Sequence, residues 1–274
     1  MKLAVSSLGI SELHDDACTA LIDIFRRHPE QRYNVIHDPG LLPILEILEG
    51  EESTEDEIAS VLEVLVAIVT GVDEEEQLEQ HTALGYPIVS NVCEDICLAG
   101  FLPVIAMFCH RSFTLDVRRE SANIIEKMLE DERTLRMFVA GRGFRALVEL
   151  LEPDYENFRC LADRALDGIE RLLSMQNLRY KRDFCRRFAH CGLLERTVDG
   201  IWANVKLPCI AFSPDVDTEP ISEDTEPASE DKEPISEKRD EELTPREIHL
   251  VKLSRLLMTF AARADPIVKD RMAQ

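Results

Sequence analysis

A short signature recurs along this chain and limits what it can fold into. A glycine is followed at once by a compact apolar stretch in Gly40-Leu41-Leu42-Pro43-Ile44-Leu45-Glu46-Ile47-Leu48 and in Gly100-Phe101-Leu102-Pro103-Val104-Ile105-Ala106-Met107. It returns in Gly143-Phe144-Arg145-Ala146-Leu147-Val148-Glu149-Leu150-Leu151 and, more weakly, in Gly192-Leu193-Leu194-Glu195-Arg196-Thr197-Val198. Longer stretches follow in which apolar residues fall every three or four positions: Ile58, Val61, Leu62, Leu65 and Ile68; Ile124, Ile125, Met128 and Leu129; Leu161, Ala165, Ile169, Leu172 and Leu173. Ala17, Leu21, Ile24 and Phe25 show the same spacing near the start. That spacing puts one apolar face on a helix. No run of alternating β-branched residues suggests a sheet. Each glycine is expected to supply a turn that other residues tolerate poorly. Pro43 and Pro103 fall in a first helical turn, where a missing N–H costs nothing.

The signature glycines are separated by 60, 43 and 49 residues. The last two intervals sit close to the ~40–47 residues of armadillo and HEAT units, in which each helix pair buries its apolar face against its neighbours. The expected fold is all-α, an armadillo/HEAT-type right-handed superhelix over residues 8–206. Residues 71–91 keep no steady period and lengthen the first interval, so they are expected to be an insertion. Residues 218–238 read TEPISED, TEPASED, KEPISEK. Low hydrophobicity and negative charge cannot offset ordering entropy, so 207–243 is expected to be a disordered acidic linker rich in Pro, Glu and Ser. Thr244-Pro245-Arg246-Glu247 then reads as a capping box. Ile248, Val251, Leu253, Leu256, Leu257 and Phe260 continue as an amphipathic helix. Residues 244–272 are expected to dock back on the last repeat, which lacks a long helix of its own.

The chain has 274 residues and a net charge of −22. That balance argues against nucleic-acid binding, which needs clustered Lys and Arg. Residues 1–110 hold 4 basic and 21 acidic side chains, whereas 111–206 hold 18 and 16. The middle is therefore relatively basic. No apolar run approaches the ~18 residues of a membrane span, and the start is too short for a signal peptide. The expectation is a cytoplasmic protein without membrane insertion, its eight cysteines reduced.

Candidate chemistry is sparse. Cys93, Cys97, Cys109 and His110 miss the usual zinc spacing and lie in apolar patterns, as do Cys185, His190 and Cys191. They read as core thiols, and neither a metal nor a cofactor is expected. No strand–turn–helix elbow presents a nucleophile. Binding is a better prospect. Arg118, Arg119, Asn123 and Lys127 form a polar stripe on one helix, and Asp163, Arg164, Asp167 and Arg171 form its counterpart one repeat later. If such helices line a groove, protein partners with acidic or phosphorylated segments are the natural ligands; the alternative is a solvated helix face. The Trp–Asn ladder of nuclear-import receptors is missing, with Trp202 the sole tryptophan. The acidic runs 51–57 and 73–76 read as solvated loops. Ser53, Ser222, Ser229 and Ser236 lie among acids and are candidate phosphorylation sites.

The stretch TLRMFVAGRGFRALVELLEPDYENFRCLADRALDGIERLL (134–173), followed by KRDFCRRFAHCGLLERTVDGI (181–201), resembles the C-terminal armadillo-type region of septation and cytokinesis Ste-type protein kinases and of plant epsilon-class MAP kinase kinase kinases. Residues 17–48, 97–108 and 254–272 agree. The resemblance implies a non-catalytic, protein-binding region that localises and regulates a kinase, by extension at the spindle pole or division site. A kinase needs a glycine-rich loop, a strand lysine and two aspartates. Here Gly141-Arg142-Gly143 opens a repeat helix, His110-Arg111-Ser112 lacks the catalytic Asp, and Asp183-Phe184-Cys185 is a helical segment. This chain is therefore expected not to be an enzyme. The alternatives are a fragment of a serine/threonine kinase whose catalytic domain lies outside this chain, and a generic armadillo/HEAT adaptor.

Overall fold

The computed structural model describes residues 2–29, 31–37, 41–70, 92–141, 143–174, 178–205 and 243–263, with Pro266 and Lys269. The expected insertion, 71–91, and nearly all of the expected linker lie outside the described residues.

Among the described residues every regular element is helical, and the helices fall into layers. The first holds α1 (Lys2–Ser7), a single 3-10 turn (Ser11–Leu13) and α2 (His14–Arg27). Each later layer has two shorter helices and then a longer third. These are α3 (Gln31–His37), α4 (Leu41–Glu49) and α5 (Glu55–Val69); α6 (Val92–Leu98), α7 (Phe101–Phe108) and α8 (Leu115–Met128). Then come α9 (Glu132–Ala140), α10 (Phe144–Leu150) and α11 (Tyr155–Ser174), and finally α12 (Leu178–His190), α13 (Leu193–Asn204) and α14 (Pro245–Arg263). The fold is an all-α stack of helical repeats. Helix α14 packs on α11, α12 and α13 and serves as the third helix of the last layer.

Local signals explain these boundaries. Thr54 accepts from the Glu57 N–H at 3.3 Å while its own N–H donates to the Glu57 carboxylate at 2.9 Å, closing a capping box. Thr244 and Glu247 repeat that arrangement at the start of α14, at 3.3 and 2.7 Å. Its hydrogen bonds from Thr244 hold the Glu247 carboxyl below its usual range. Gly100 and Gly192 take left-handed backbone angles, φ 93° and 87°, as their turns require. Gly143 differs. Its φ of −57° suits any residue, and what it supplies is room, because a Cβ there would run into the Phe138 ring.

The third helices α2, α5, α8, α11 and α14 stack in succession, and their contacts set one direction. His14, opening α2, lies 3.3 Å from the Glu57 carbonyl at the start of α5. The Thr114 N–H, entering α8, donates to Glu55 at 2.8 Å. Arg164 meets Glu126 at 2.9 Å, and Lys252 meets Asp167 at 2.6 Å. The stack is therefore parallel, and its macrodipoles align. Carboxylates occupy the first turns (Asp15, Asp16, Glu55, Asp56, Glu57, Asp116, Glu156, Glu247), and cations the last turns of α2, α8 and α11. Each such charge offsets a terminal partial charge by about 0.3–1 kcal/mol.

A continuous core fills the layers, with Phe25, Phe101, Phe108, Phe138, Phe188 and Phe260 fully buried. Phe144 of α10 meets Phe188 of α12 edge-on at 4.6 Å, joining the last two layers. A charged hub crosses this core. Arg118 is 3% exposed. It donates to Glu152 at 2.6 Å and to the Glu149 carbonyl at 3.1 Å, with its guanidinium 5.7 Å from the Phe158 ring centre. Arg196 of α13 pairs with Glu149 at 2.9 Å. The hub ties α8, the α10–α11 connection and α13 into one unit. Phe158 leaves helical geometry (φ −119°, ψ 27°), kinking α11 next to the hub.

Removing one partner of such a buried pair strands the other, at a cost of about 3–5 kcal/mol. Arg118→Ala should therefore lower the melting temperature sharply, whereas Arg119→Ala, at an exposed pair, should change stability by about 0.5 kcal/mol or less. Equal melting curves for the two variants would show that the hub contributes nothing. A second expectation concerns the chain between α13 and α14. The Arg246 side chain donates to the Asn204 carbonyl at 2.9 Å, so the segment leaves and returns at one place. Replacing 206–242 with a short Gly/Ser bridge should leave helical content and melting temperature nearly unchanged. A large loss measured by circular dichroism would mean that the segment packs on the layers.

Candidate interaction surface

The two polar stripes expected from sequence do lie on successive third helices, but most of their groups are already engaged. Arg118 leaves the stripe altogether, being buried in the hub, and offers no charge to a partner. Arg119 pairs with Asp116 at 2.8 Å and Glu120 at 3.1 Å, and Asn123 donates to Glu120 at 2.9 Å. Lys127 pairs with Glu130 at 3.1 Å. On α11, Asp163 accepts from Tyr155 at 3.3 Å and faces Arg159 at 3.6 Å. Arg164 is held by Glu126 and Asp167 by Lys252, while Arg171 is exposed. Ser222, Ser229 and Ser236 lie outside the described residues; Ser53 spends its hydroxyl on the Ile47 carbonyl at 2.7 Å.

The ladder has a regular register. Val117, Ser121, Ile124 and Met128 of α8 match Leu161, Ala165, Gly168 and Leu172 of α11, and His249, Leu253, Leu256 and Phe260 of α14, all buried. Carried back to α5, where Val61, Val64 and Ile68 are the buried matches, and to α2 through Ala17, the same register places Asp16, Ser60, Glu120, Arg164 and Lys252 at one equivalent position. From this position α11 and α14 reach back to the helix before them. Arg164 reaches Glu126 and Lys252 reaches Asp167, so these two rungs are closed by opposite charges. The rung between α5 and α8 is different. Glu63 and Glu120 are both acidic, and no cation bridges them among the described residues.

A cleft of about 400 Å³ opens at that rung. Its floor is apolar, from Ile22, Phe25, Val66 and Ala67; its sides carry Arg26, Arg32, Glu63 and Glu120. The Glu120 side chain is only 14% exposed and is oriented by Arg119 and Asn123. Sequence reasoning missed this site because its walls come from α2, α3, α5 and α8, far apart in the chain. The signal available was weak: acids at Glu63 and Glu120 on the open faces of two helices with like periodicity.

The thiols offer little chemistry. Burial pushes Cys18 up to about 12 and Cys97 up to about 11, with nearby carboxylates adding to both. Cys109 is pushed up chiefly by burial and donates to the Ile105 carbonyl at 3.5 Å. Among the described residues no group of His, Cys, Asp and Glu could hold a metal ion. None of the described helices is long and apolar enough to cross a membrane.

These features define an all-α superhelix of stacked repeats whose open surface is the ladder of third helices. No protein-family model matches the chain. A crystal structure of an engineered protein matches with a TM-score of 0.56 at 14% identity, covering 98% of this chain and 84% of its own, which supports the fold alone. Curated relatives are more specific. The chain is 29% identical over 205 residues to MAP3K epsilon protein kinase 1 of Arabidopsis thaliana, a match covering 73% of this chain and 14% of that protein. It is 32% identical over 195 residues to cytokinesis protein sepH of Aspergillus niger, covering 70% and 13%. Cell division control protein 7 of Schizosaccharomyces pombe matches at 27% over 172 residues, covering 62% and 14%. The chain is thus homologous, over about 70% of its length, to a partial region of the MAP3K epsilon and septation kinases.

At the far end of the ladder, His249 is buried and stacked on Tyr155, ring centres 4.0 Å apart, with both ring nitrogens unpartnered among the described residues. Burial, opposed by Asp163 and aided by Lys252, lowers its pKa to about 4. Folding therefore favours the neutral ring. Its contribution is complete above the ordinary value of 6.5 and is lost as pH falls towards about 4. Urea midpoints measured across that window should fall more steeply for the wild type than for His249→Phe, which keeps the stack but cannot charge. Parallel curves would mean that His249 does not set the acid sensitivity.

Proposed function

We propose that this chain is a non-catalytic, armadillo-type protein-binding module of septation or cytokinesis kinase signalling. Its partner engages the cleft between α2, α5 and α8 with a basic side chain set beside an apolar one. The observation that carries this reading is the acidic rung, Glu63 and Glu120 lining one cleft over an apolar floor with Arg26 and Arg32 at its sides, where the next two rungs are closed by opposite charges. A Lys or Arg from a partner pairs with Glu63, since Glu120 already has Arg119, and its apolar neighbour fills the floor. The cleft's size lies within the ~300–1,000 Å³ of pockets that enclose a bound group. This choice of partner replaces the acidic segment expected from the central stripe, whose cations already face carboxylates.

The relatives support the signalling context, since those matched carry the names of kinases and division proteins. On this reading the chain corresponds to a regulatory part, kinase activity belongs to a catalytic domain outside it, and the site of action is the cytoplasmic division machinery.

Selection of displayed random peptides on the purified protein tests the proposal. Enriched peptides should carry Lys or Arg next to an apolar residue. Their binding should weaken by about tenfold or more, roughly 1.4 kcal/mol, on Glu63→Lys and on Ala67→Trp, with melting temperatures unchanged. Peptides that bind both variants as well as the wild type would place the site elsewhere.

A further inference from the structure

The outer faces of α2 and α14, in the first and last described layers, are complementary. A layer of a solenoid leaves apolar area uncovered wherever no neighbour is stacked on it. In α11, Ala162, Leu166, Ile169 and Leu173 are buried by the layers on either side. Their equivalents on α14 are Leu250 and Leu257, half-buried, and Ser254 and Ala261, exposed. Beside them Val251 is 45% exposed and Met258 70%. Helix α14 is therefore apolar on its inner face and again on its outer one, the pattern of a helix covered from both sides. At the other end, α2 opens to solvent at positions where α11 is buried. Leu13, equivalent to Leu161, is 45% exposed, and Ala20, equivalent to Gly168, is exposed as well. Ile10, just before the 3-10 turn, is 49% exposed.

Charge completes the match. Arg255 of α14 stands where Asp167 stands on α11, and it makes no ion pair among the described residues. Asp16 of α2 stands where Lys252 stands on α14. A further layer laid on α14 in the same register would bring Asp16 to Arg255, reproducing the Asp167–Lys252 rung with its signs exchanged. Leu13 would then meet Val251, as His249 meets the Asp163 level on α11, and Ala20 would lie near Met258.

We propose that copies of this chain stack head to tail, α14 of one copy against α2 of the next, so that the ladder of parallel third helices runs on from copy to copy. The interface is heterologous, with different faces meeting, and so it builds open chains. Pairing of two α14 faces with each other is disfavoured, because a two-fold arrangement centred on this face opposes Arg255 to its own copy. The proposal is independent of the cleft, which lies within the stack and stays open.

Sedimentation velocity on the full chain, over a concentration series, tests this. The wild type should show a sedimentation coefficient that rises with concentration, and more strongly at moderate salt, which screens the repulsion between copies of net charge −22. Asp16→Arg, on one face, and Met258→Lys, on the other, should each abolish the rise while leaving the circular dichroism melt unchanged. Mixing the two variants should restore a single 1:1 complex, since each keeps one intact face. A wild type that remains monomeric throughout the series overturns the proposal. So does association that survives both substitutions, or a mixture that stays monomeric.

Discussion

The structure depends on the parallel stacking of its third helices. A helix such as α8, with Val117, Ser121, Ile124 and Met128 buried along one line and Ala122 and Ile125 along another, cannot stand alone in water. It must be covered on both sides, and each added layer supplies one side. Because every layer repeats the same turn sequence, the third helices run in one direction. That direction has two consequences. The dipoles add, and terminal charges offset them. The side chains also meet at fixed levels, so one position per layer decides whether neighbouring helices are joined by a rung or left apart. Arg164 and Lys252 join them. Glu120 does not, and a cleft forms there.

The buried hub works on a different scale. Arg118, Glu152, Glu149 and Arg196 come from three layers, and a well-packed apolar set would serve stability as well or better. What the ion pairs fix is placement. Asn204 donates to the Pro153 carbonyl at 2.8 Å, and Arg246 reaches both the Asn204 carbonyl and Glu156. The short connection 151–154 is thereby gripped from α8 and α13, and α14 holds Glu156 in the first turn of α11. That grip positions the start of α11, the Phe158 kink and the Tyr155–His249 stack, and so the level at which α14 docks.

Much of this was readable from sequence where the signal is local. The glycine signature marked the second helices, the Thr244-Glu247 box marked the start of α14, and apolar spacing marked each third helix. Signals with more than one cause were read incompletely. Glycine at 143 looked the same as glycine at 100, yet one provides room beside Phe138 and the other a left-handed turn. Arg118 had the spacing of a surface stripe, because periodicity gives a face but not its depth. It is buried because Glu152 and Phe158, more than thirty residues on, are there to receive it. The rungs were beyond a local reading altogether. Whether Glu126 finds Arg164, or Glu63 is left without a cation from α8, depends on register between layers, and a linear sequence holds that only once the layers are aligned.

The same dependence on pairing changes how the charge distribution is understood. Residues 111–206 carry 18 basic side chains against 16 acidic, which in sequence suggests a basic surface. In the fold half of those cations stand in ion pairs among the described residues, including Arg118 on Glu152, Arg119 on Asp116, Lys127 on Glu130, Arg164 on Glu126 and Arg196 on Glu149. The first 110 residues have 21 acids and only 4 bases. Of these bases Arg32 is buried, Arg27 lies 3.7 Å from Asp23, and Arg26 stands at the side of the cleft. The uncompensated field is therefore negative and centred on the layers that hold the open rung. A field of one sign around a cleft raises the encounter rate of oppositely charged segments and falls off with salt. The long-range charge and the local vacancy at Glu63 and Glu120 thus select the same kind of partner. The central cations, being internally matched, contribute to cohesion between layers rather than to recognition.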